Sequence, residues 1–92
     1  MPITYVHIEW PDRQKDQIYS PSSVIENYFN IGETITINDL LTKSNEALAE
    51  ASERVRKKFG YACTSAQAES HRIKEKSDEY EASKKVKIIS IK

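Results

Sequence analysis

The sequence predicts an α+β domain, a small antiparallel or mixed β-sheet packed against two or three helices. Apolar and polar residues alternate at the start of the chain, at Glu33 to Ile37 and again near the end, which is the period of half-buried strands. Between the last two of these stretches apolar residues recur at helical spacing, and capping and turn residues stand at the junctions. The element order is β-β-α-β-α-α-β. A chain of 92 residues fits one domain, 1-92, with one modest core.

The first strand is predicted over Ile3 to Trp10, with Val6, Ile8 and Trp10 on one face and Tyr5, His7 and Glu9 on the other. Pro11-Asp12 supplies turn chemistry, and a short polar strand near Lys15 to Tyr19 completes a hairpin. Ser20-Pro21 reads as an N-cap and first helical residue, opening a short helix whose Val24, Ile25, Tyr28 and Phe29 share a face. Asn30 or Gly32 provides the left-handed residue that ends it, before a third strand at Glu33 to Ile37.

Asn38 is the expected N-cap of the longest helix, about 39 to 59, with a core stripe of Leu41, Leu48, Ala51, Val55 and Phe59. Glu50 should pair with Arg54 and Glu53 with Lys57, and Gly60 should stop the helix. Thr64 and Gln67 have the form of a capping box for a last helix from Ser65 to about Glu81. Its apolar seam, Ala66, Ile73 and Tyr80, is narrow, so it is expected to be the least stable element. In the terminal strand parity changes, with Val86 and Ile88 on one face and Ile89 and Ile91 on the other, which calls for a bulge or for cover on both faces. That strand can pair with the first strand or with a second subunit. Val6, Ile8, Ile35, Ile37, Leu41, Leu48, Val55 and Phe59 form the predicted core.

Charge and cysteine content narrow the function classes. Fourteen basic and fourteen acidic side chains cancel, so no net field concentrates nucleic acid or an anionic membrane surface, and neither is an expected partner, although a local basic patch escapes this argument. No apolar run approaches a bilayer span and the start lacks signal-peptide character, which together with one cysteine points to a cytoplasmic protein. Glycine-rich phosphate loops, nucleophile elbows and paired metal-binding cysteines are missing, so no catalytic residue is assigned.

Weaker candidates remain. Cys63, just before a helix start, would be the nucleophile or redox thiol of any enzyme here, and Thr64 and Ser65 with the following amides could hold a small anion. The plainer reading, which we prefer because a catalytic thiol needs a positioned base, is that Cys63 fills a tight corner and should label slowly, while Thr64 and Ser65 cap the helix. His7, His71 and Cys63 carry no metal-ligand spacing, so no metal and no cofactor is expected. Arg54, Arg56, Lys57 and Lys58 form a basic turn near Tyr61 that would suit phosphate or RNA if aromatic rings lay beside it, but the neighbouring acids favour a solvated helix end. The thin seam and the two-faced terminal strand suggest a homodimer or protein partner, with contacts at Ile73, Tyr80, Ile89 and Ile91.

The strings WPD at Trp10 to Asp12, YSPSSVIENYF at Tyr19 to Phe29 and EALAEASERVRKKFGYACTSA at Glu46 to Ala66 resemble a small bacterial family of nitrogen starvation response proteins. The resemblance covers about Pro2 to Ala68, and Ser20, Pro21, Ser52, Glu53, Arg54, Gly60 and Cys63 match the family pattern. Arg13 departs from it, standing where a Pro-Asp-Gly turn is common. Members occur in mycobacteria and cyanobacteria, commonly in a gene cluster with a nitrilase, a radical SAM protein, an acetyltransferase and a flavoprotein. The resemblance implies a setting in nitrogen limitation, and with the missing catalytic motifs it leads to the expectation of a non-enzymatic accessory or regulatory protein acting by contact with a protein partner of the same pathway or with itself. The rival expectation is a small-molecule or metal helper using the Cys63 corner.

Overall fold

The computed structural model describes residues 3–61 and 64–92. The alternating start becomes β1, Thr4–Glu9, with Val6 and Ile8 fully buried and Tyr5, His7 and Glu9 half-exposed on the opposite face. It pairs antiparallel with β2, Lys15–Ser20, with Pro11, Asp12 and Arg13 forming the loop inside the bonded Trp10–Gln14 pair. The Arg13 amide donates to the Trp10 carbonyl at 2.8 Å and the Trp10 amide to the Gln14 carbonyl at 2.9 Å. Arg13 takes the left-handed position that such a loop needs, at φ 70. That conformation costs a non-glycine residue about 1 to 2 kcal/mol, part of which glycine would give back in chain entropy. Arg13→Gly is therefore expected to stabilise the protein by about 0.5 to 1 kcal/mol, seen as a higher urea midpoint at unchanged slope.

The sheet has the order β2-β1-β4-β3, with β3 at Thr34–Thr36 and β4 at Lys85–Ile91, and all pairs are antiparallel. The terminal strand thus lies inside its own chain's sheet, between β1 and β3. Its parity change is answered by a bulge. Val6 faces Ile91 and His7 faces Ser90, but Ile8 faces Ile88, so Ile89 is the extra residue. The shift returns Ile91 to the Val6 face, where it packs against the core, and leaves Ile89 36% exposed.

The crossover from β2 to β3 carries a five-residue 3₁₀ helix, Ser23–Asn27, capped by Ser22 rather than by Ser20. The Ser20 hydroxyl donates to the Ser22 carbonyl at 2.7 Å, and the Ser22 hydroxyl accepts from the Val24 amide. Pro21 therefore precedes the cap, and Val24, Ile25 and Phe29 drop into the core from a tighter turn than an α-helix.

The long helix α1 spans Ile37–Phe59, with Thr36 and not Asn38 as its N-cap. Thr36 Oγ1 accepts from the Asp39 amide at 3.1 Å, while the amides of Ile37 and Asn38 reach the carbonyls of Lys84 and Ala82, so a loop distant in sequence satisfies the free donors. Its buried stripe is Ile37, Leu40, Ser44, Ala47, Leu48, Ala51 and Val55. Leu40 replaces Leu41, which is only half-buried, because serine and alanine complete the true stripe: Ser44 enters the core by donating to the Leu40 carbonyl at 2.6 Å. Phe59, expected in the core, is 51% exposed, since a helix of 23 residues, about 35 Å long, outruns the sheet it lies on. Gly60 ends it at φ 82, as its sequence position implied.

The last helix, α2, runs over Thr64–Ser77. It stops four residues before Glu81, and Tyr80 lies in the turn that follows, its amide bonded to the Ser77 carbonyl at 3.1 Å. Helices α1 and α2 pack on each other and on one face of the sheet, α2 over β2 and α1 over β3 and β4. No helix of the described residues is long and apolar enough to cross a membrane.

Candidate functional site

Small side chains set the approach of α1 and α2. Ala47, Ala51 and Ala66 are essentially fully buried where the helices meet, and Ser70 donates to the Asn45 side chain across the gap. Towards the tip of this helical hairpin the helices leave a cleft of about 330 Å³ over Leu48, Ala49 and Ala66. Its polar rim consists of Asn45, Ser52, Glu53, Arg56, Gln67 and Ser70. Glu53 grips Arg56 through two hydrogen bonds, and this contact lowers the Glu53 carboxyl and raises the Arg56 guanidinium from their usual ranges. The pair forms at i,i+3, one step short of the expected Lys57 partner. Such a rim can orient a small polar molecule by hydrogen bonding, and among the described residues it pairs no nucleophile with a general base.

Of the expected ligand-binding residues, Arg54, Thr64 and Ser65 are described and none of them lines this cleft. Thr64 and Ser65 are exposed at the start of α2, and Arg54 is exposed on α1, where its charge acts on Tyr28 together with Glu50 and Glu46. Cys63 lies outside the described residues, and with it the slow-labelling expectation and the cap of α2. Among the described residues no group of three or more His, Cys, Asp or Glu side chains could hold a metal ion.

At the tip beyond the cleft, aromatic rings do lie beside the basic turn. Phe59 and Tyr61 are 51% and 65% exposed with ring centroids 6.2 Å apart, and Lys58 Nζ sits 5.6 Å from the Phe59 centroid. This exposed corner combines two aromatic side chains, a class enriched in protein contacts, with a lysine beside them.

The residues proposed for self-association are mostly covered at home. Ile73 is fully buried, Ile91 packs on the core, and Tyr80 stacks on Trp10 with centroids 5.4 Å apart and planes 9° from parallel. Ile89 alone of the four keeps a large exposed fraction.

Sequence reading missed the polar network that fastens α2 to the hairpin. Asp16 Oδ2 accepts from Trp10 Nε1 and from Arg72 Nη1, each at 3.0 Å. Arg72 Nη2 also donates to the Gln17 carbonyl at 2.7 Å, and Glu69, bonded to Arg72, accepts the Tyr19 amide at 2.7 Å. These bonds close the outer edge of β2 with side chains of α2, which protects the strand from pairing with another chain. Partial burial opposes ionisation of Asp16, but the Arg72 and Trp10 donors outweigh it and hold its carboxyl below the usual range.

Tyr80 Oη donates to Asp12 Oδ1 at 2.8 Å. Removal from water and that bond push the Tyr80 phenol up to about 12. The folded value exceeds the unfolded one of about 10, so the associated stability is fully present below about pH 10 and is lost as pH rises through the folded value. Ultraviolet titration of tyrosinate should therefore lose its latest-ionising step in Tyr80→Phe, while the smaller upward shift of Tyr28 remains; identical curves would exclude this contact.

Comparison with curated proteins and with solved structures finds no match. A family model described as nitrogen starvation-induced protein NitG matches residues 5–91. That span takes in nearly all of the hairpin with its Trp10 anchor, the 3₁₀ segment, the helical hairpin with its cleft, and the whole of the last strand, and the chain belongs to the NitG family of nitrogen starvation-induced proteins.

Proposed function

We propose that this protein is a non-enzymatic accessory or regulatory component of a bacterial nitrogen starvation response, working by contact with a protein partner or with a second copy of itself. One observation carries the reading: the corner of Phe59 and Tyr61 holds two large rings together in water beside Lys58, whereas the other exposed large apolar side chains among the described residues, Ile3, Ile31 and Ile89, are aliphatic. Solvent-exposed aromatic pairs next to cations are favoured anchors for a partner surface, because they bury much area at little entropic cost. The same residues lie in the string at Glu46 to Ala66 that resembles the family.

The test is recovery of the tagged full chain from nitrogen-starved cells, alongside a Phe59→Ala, Tyr61→Ala double variant, with mass measured by light scattering over a dilution series. A stoichiometric protein or a second copy that is lost at least about tenfold from the variant, at unchanged thermal unfolding, is the expected result. Equal recovery with both chains would overturn it. A second reading, a helper that binds a small polar molecule, draws on the cleft rimmed by Ser52, Glu53, Arg56 and Gln67. It predicts a monomer that retains a low-mass compound through purification.

A further inference from the structure

The whole chain is neutral, but the fold does not distribute its charge evenly. Helices cover one face of the sheet and leave the other open, and the register decides what stands on it. Tyr5 faces Tyr19, His7 faces Gln17 and Ser90, and Glu9 faces Lys15 and Lys87. Lys85 lies two residues along the same face from Lys87, and Lys92, whose amide donates to the Tyr5 carbonyl at 2.9 Å, extends the ladder beside Tyr5. The open face of the sheet therefore presents four lysines against one carboxylate, Glu9, which is itself paired with Lys15. Asp16, next in sequence to Lys15, points to the covered side and is held by Arg72 and Trp10.

Between these lysines stand three rings. The centroids of Tyr5 and Tyr19 are 6.0 Å apart in an edge arrangement, and those of Tyr5 and His7 are 6.5 Å apart. All three are half-exposed. A depression of about 320 Å³ opens beside them, lined by His7, Lys15, Ile89, Ser90 and Lys92 and, at its edge, by Asp16, whose carboxylate is already held by Arg72 and Trp10. Rings on a solvent-facing sheet offer stacking surfaces to unpaired bases, and flanking lysines neutralise the phosphates that join them.

We propose that the open sheet face binds single-stranded RNA, with Tyr5 and His7 as stacking platforms and Lys15, Lys87 and Lys92 tracking the backbone. This goes beyond the protein-contact reading and uses a different surface from the Phe59 corner. It departs from the expectation of no nucleic-acid partner, which rested on net charge alone; a neutral chain still makes a local positive field when its acids collect on the other side. The choice of RNA rests on the polar groups beside the rings, Gln17 and Ser90, which can hydrogen-bond a ribose 2′-hydroxyl. A duplex would present no base faces to the rings.

The experiment is fluorescence anisotropy of the full chain with a labelled single-stranded RNA of mixed sequence, about 10 nucleotides long, at several salt concentrations. Saturable binding is expected that weakens with salt, falls about tenfold or more in Tyr5→Ala and survives in Tyr5→Phe. Lys87→Ala should flatten the salt dependence by about 0.7 in the slope of the log-log plot. Each variant is checked for unchanged circular dichroism, and the phenylalanine form separates loss of stacking from loss of fold. Three outcomes overturn the proposal: no binding by the wild type at low salt, equal competition by DNA of the same sequence or by the RNA duplex, or a Tyr5-dependent second copy seated on the face in place of the oligonucleotide.

Discussion

Trp10→Ala should cost about 3 to 5 kcal/mol of folding stability, the range for removing a large buried aromatic side chain. Trp10 is 1% exposed and makes three separate contributions. Its ring belongs to the cluster with Val6, Ile8 and Ile18, its other side stacks on Tyr80, and its Nε1 is a donor to Asp16. Alanine leaves a cavity, an unstacked tyrosine and a carboxylate with one donor fewer. A domain of this size has only about 5 to 15 kcal/mol in hand, so the variant should lose a large share of its stability. Urea titration followed by far-ultraviolet circular dichroism measures this, and Trp10→Phe, which keeps a ring but loses the N–H, should fall between the two. A near-neutral Trp10→Ala would mean that the hairpin and α2 are not joined as described. Because the Asp16 carboxyl is depressed in the folded state, its share of the stability is present above about pH 4 and is lost as the pH falls through the lower folded value.

Ile73→Ala should cost about 2 to 5 kcal/mol, and the loss should be the same at every protein concentration. Ile73 is fully buried on α2 within the cluster that contains Leu48 and Ala66 of the helical hairpin. If it instead completed a contact between subunits, the unfolding midpoint would rise with protein concentration in the wild type and lose that dependence in the variant. Denaturation at two concentrations a hundredfold apart distinguishes the cases: a concentration-dependent loss would return Ile73 to a subunit interface.

Ile73 also shows why the last helix was hard to weigh from sequence. Its seam of Ala66, Ile73 and Tyr80 looks too thin to hold a helix when only apolar area is counted. The missing attachment is polar: Glu69 and Arg72 bond Tyr19, Gln17 and Asp16 across 50 or more residues of chain. No local period signals such a pairing, because the helix partners, Glu69 and Arg72, are charged residues that otherwise belong on a solvated face, and two of the groups they meet are backbone groups of β2. The candidate site behaves similarly. Arg54 and Arg56 are equivalent in a list of basic residues, but about 200° of helical rotation puts Arg56 on the cleft rim and Arg54 on the other flank.

Strand and helix positions, the element order, the left-handed stop at Gly60 and the inward face of β1 follow from the sequence by itself, since each depends on residues within one turn or one strand of each other. Alternation, helical spacing and glycine's backbone freedom are local properties, and the described fold agrees with them. The tertiary structure alone decided that Thr36 caps α1, that Leu40 and Ser44 displace Leu41 from the core stripe, and that Phe59 ends in water. It also decided the bulge at Ile89, which puts Ile91 back on the core. Each of these turns on which distant group arrives to accept a hydrogen bond or to cover a face. For the same reason a neutral sequence gave no sign of a lysine-rich open sheet: strand register brings Lys15, Lys87 and Lys92 together, and register is a property of the folded sheet rather than of any one segment.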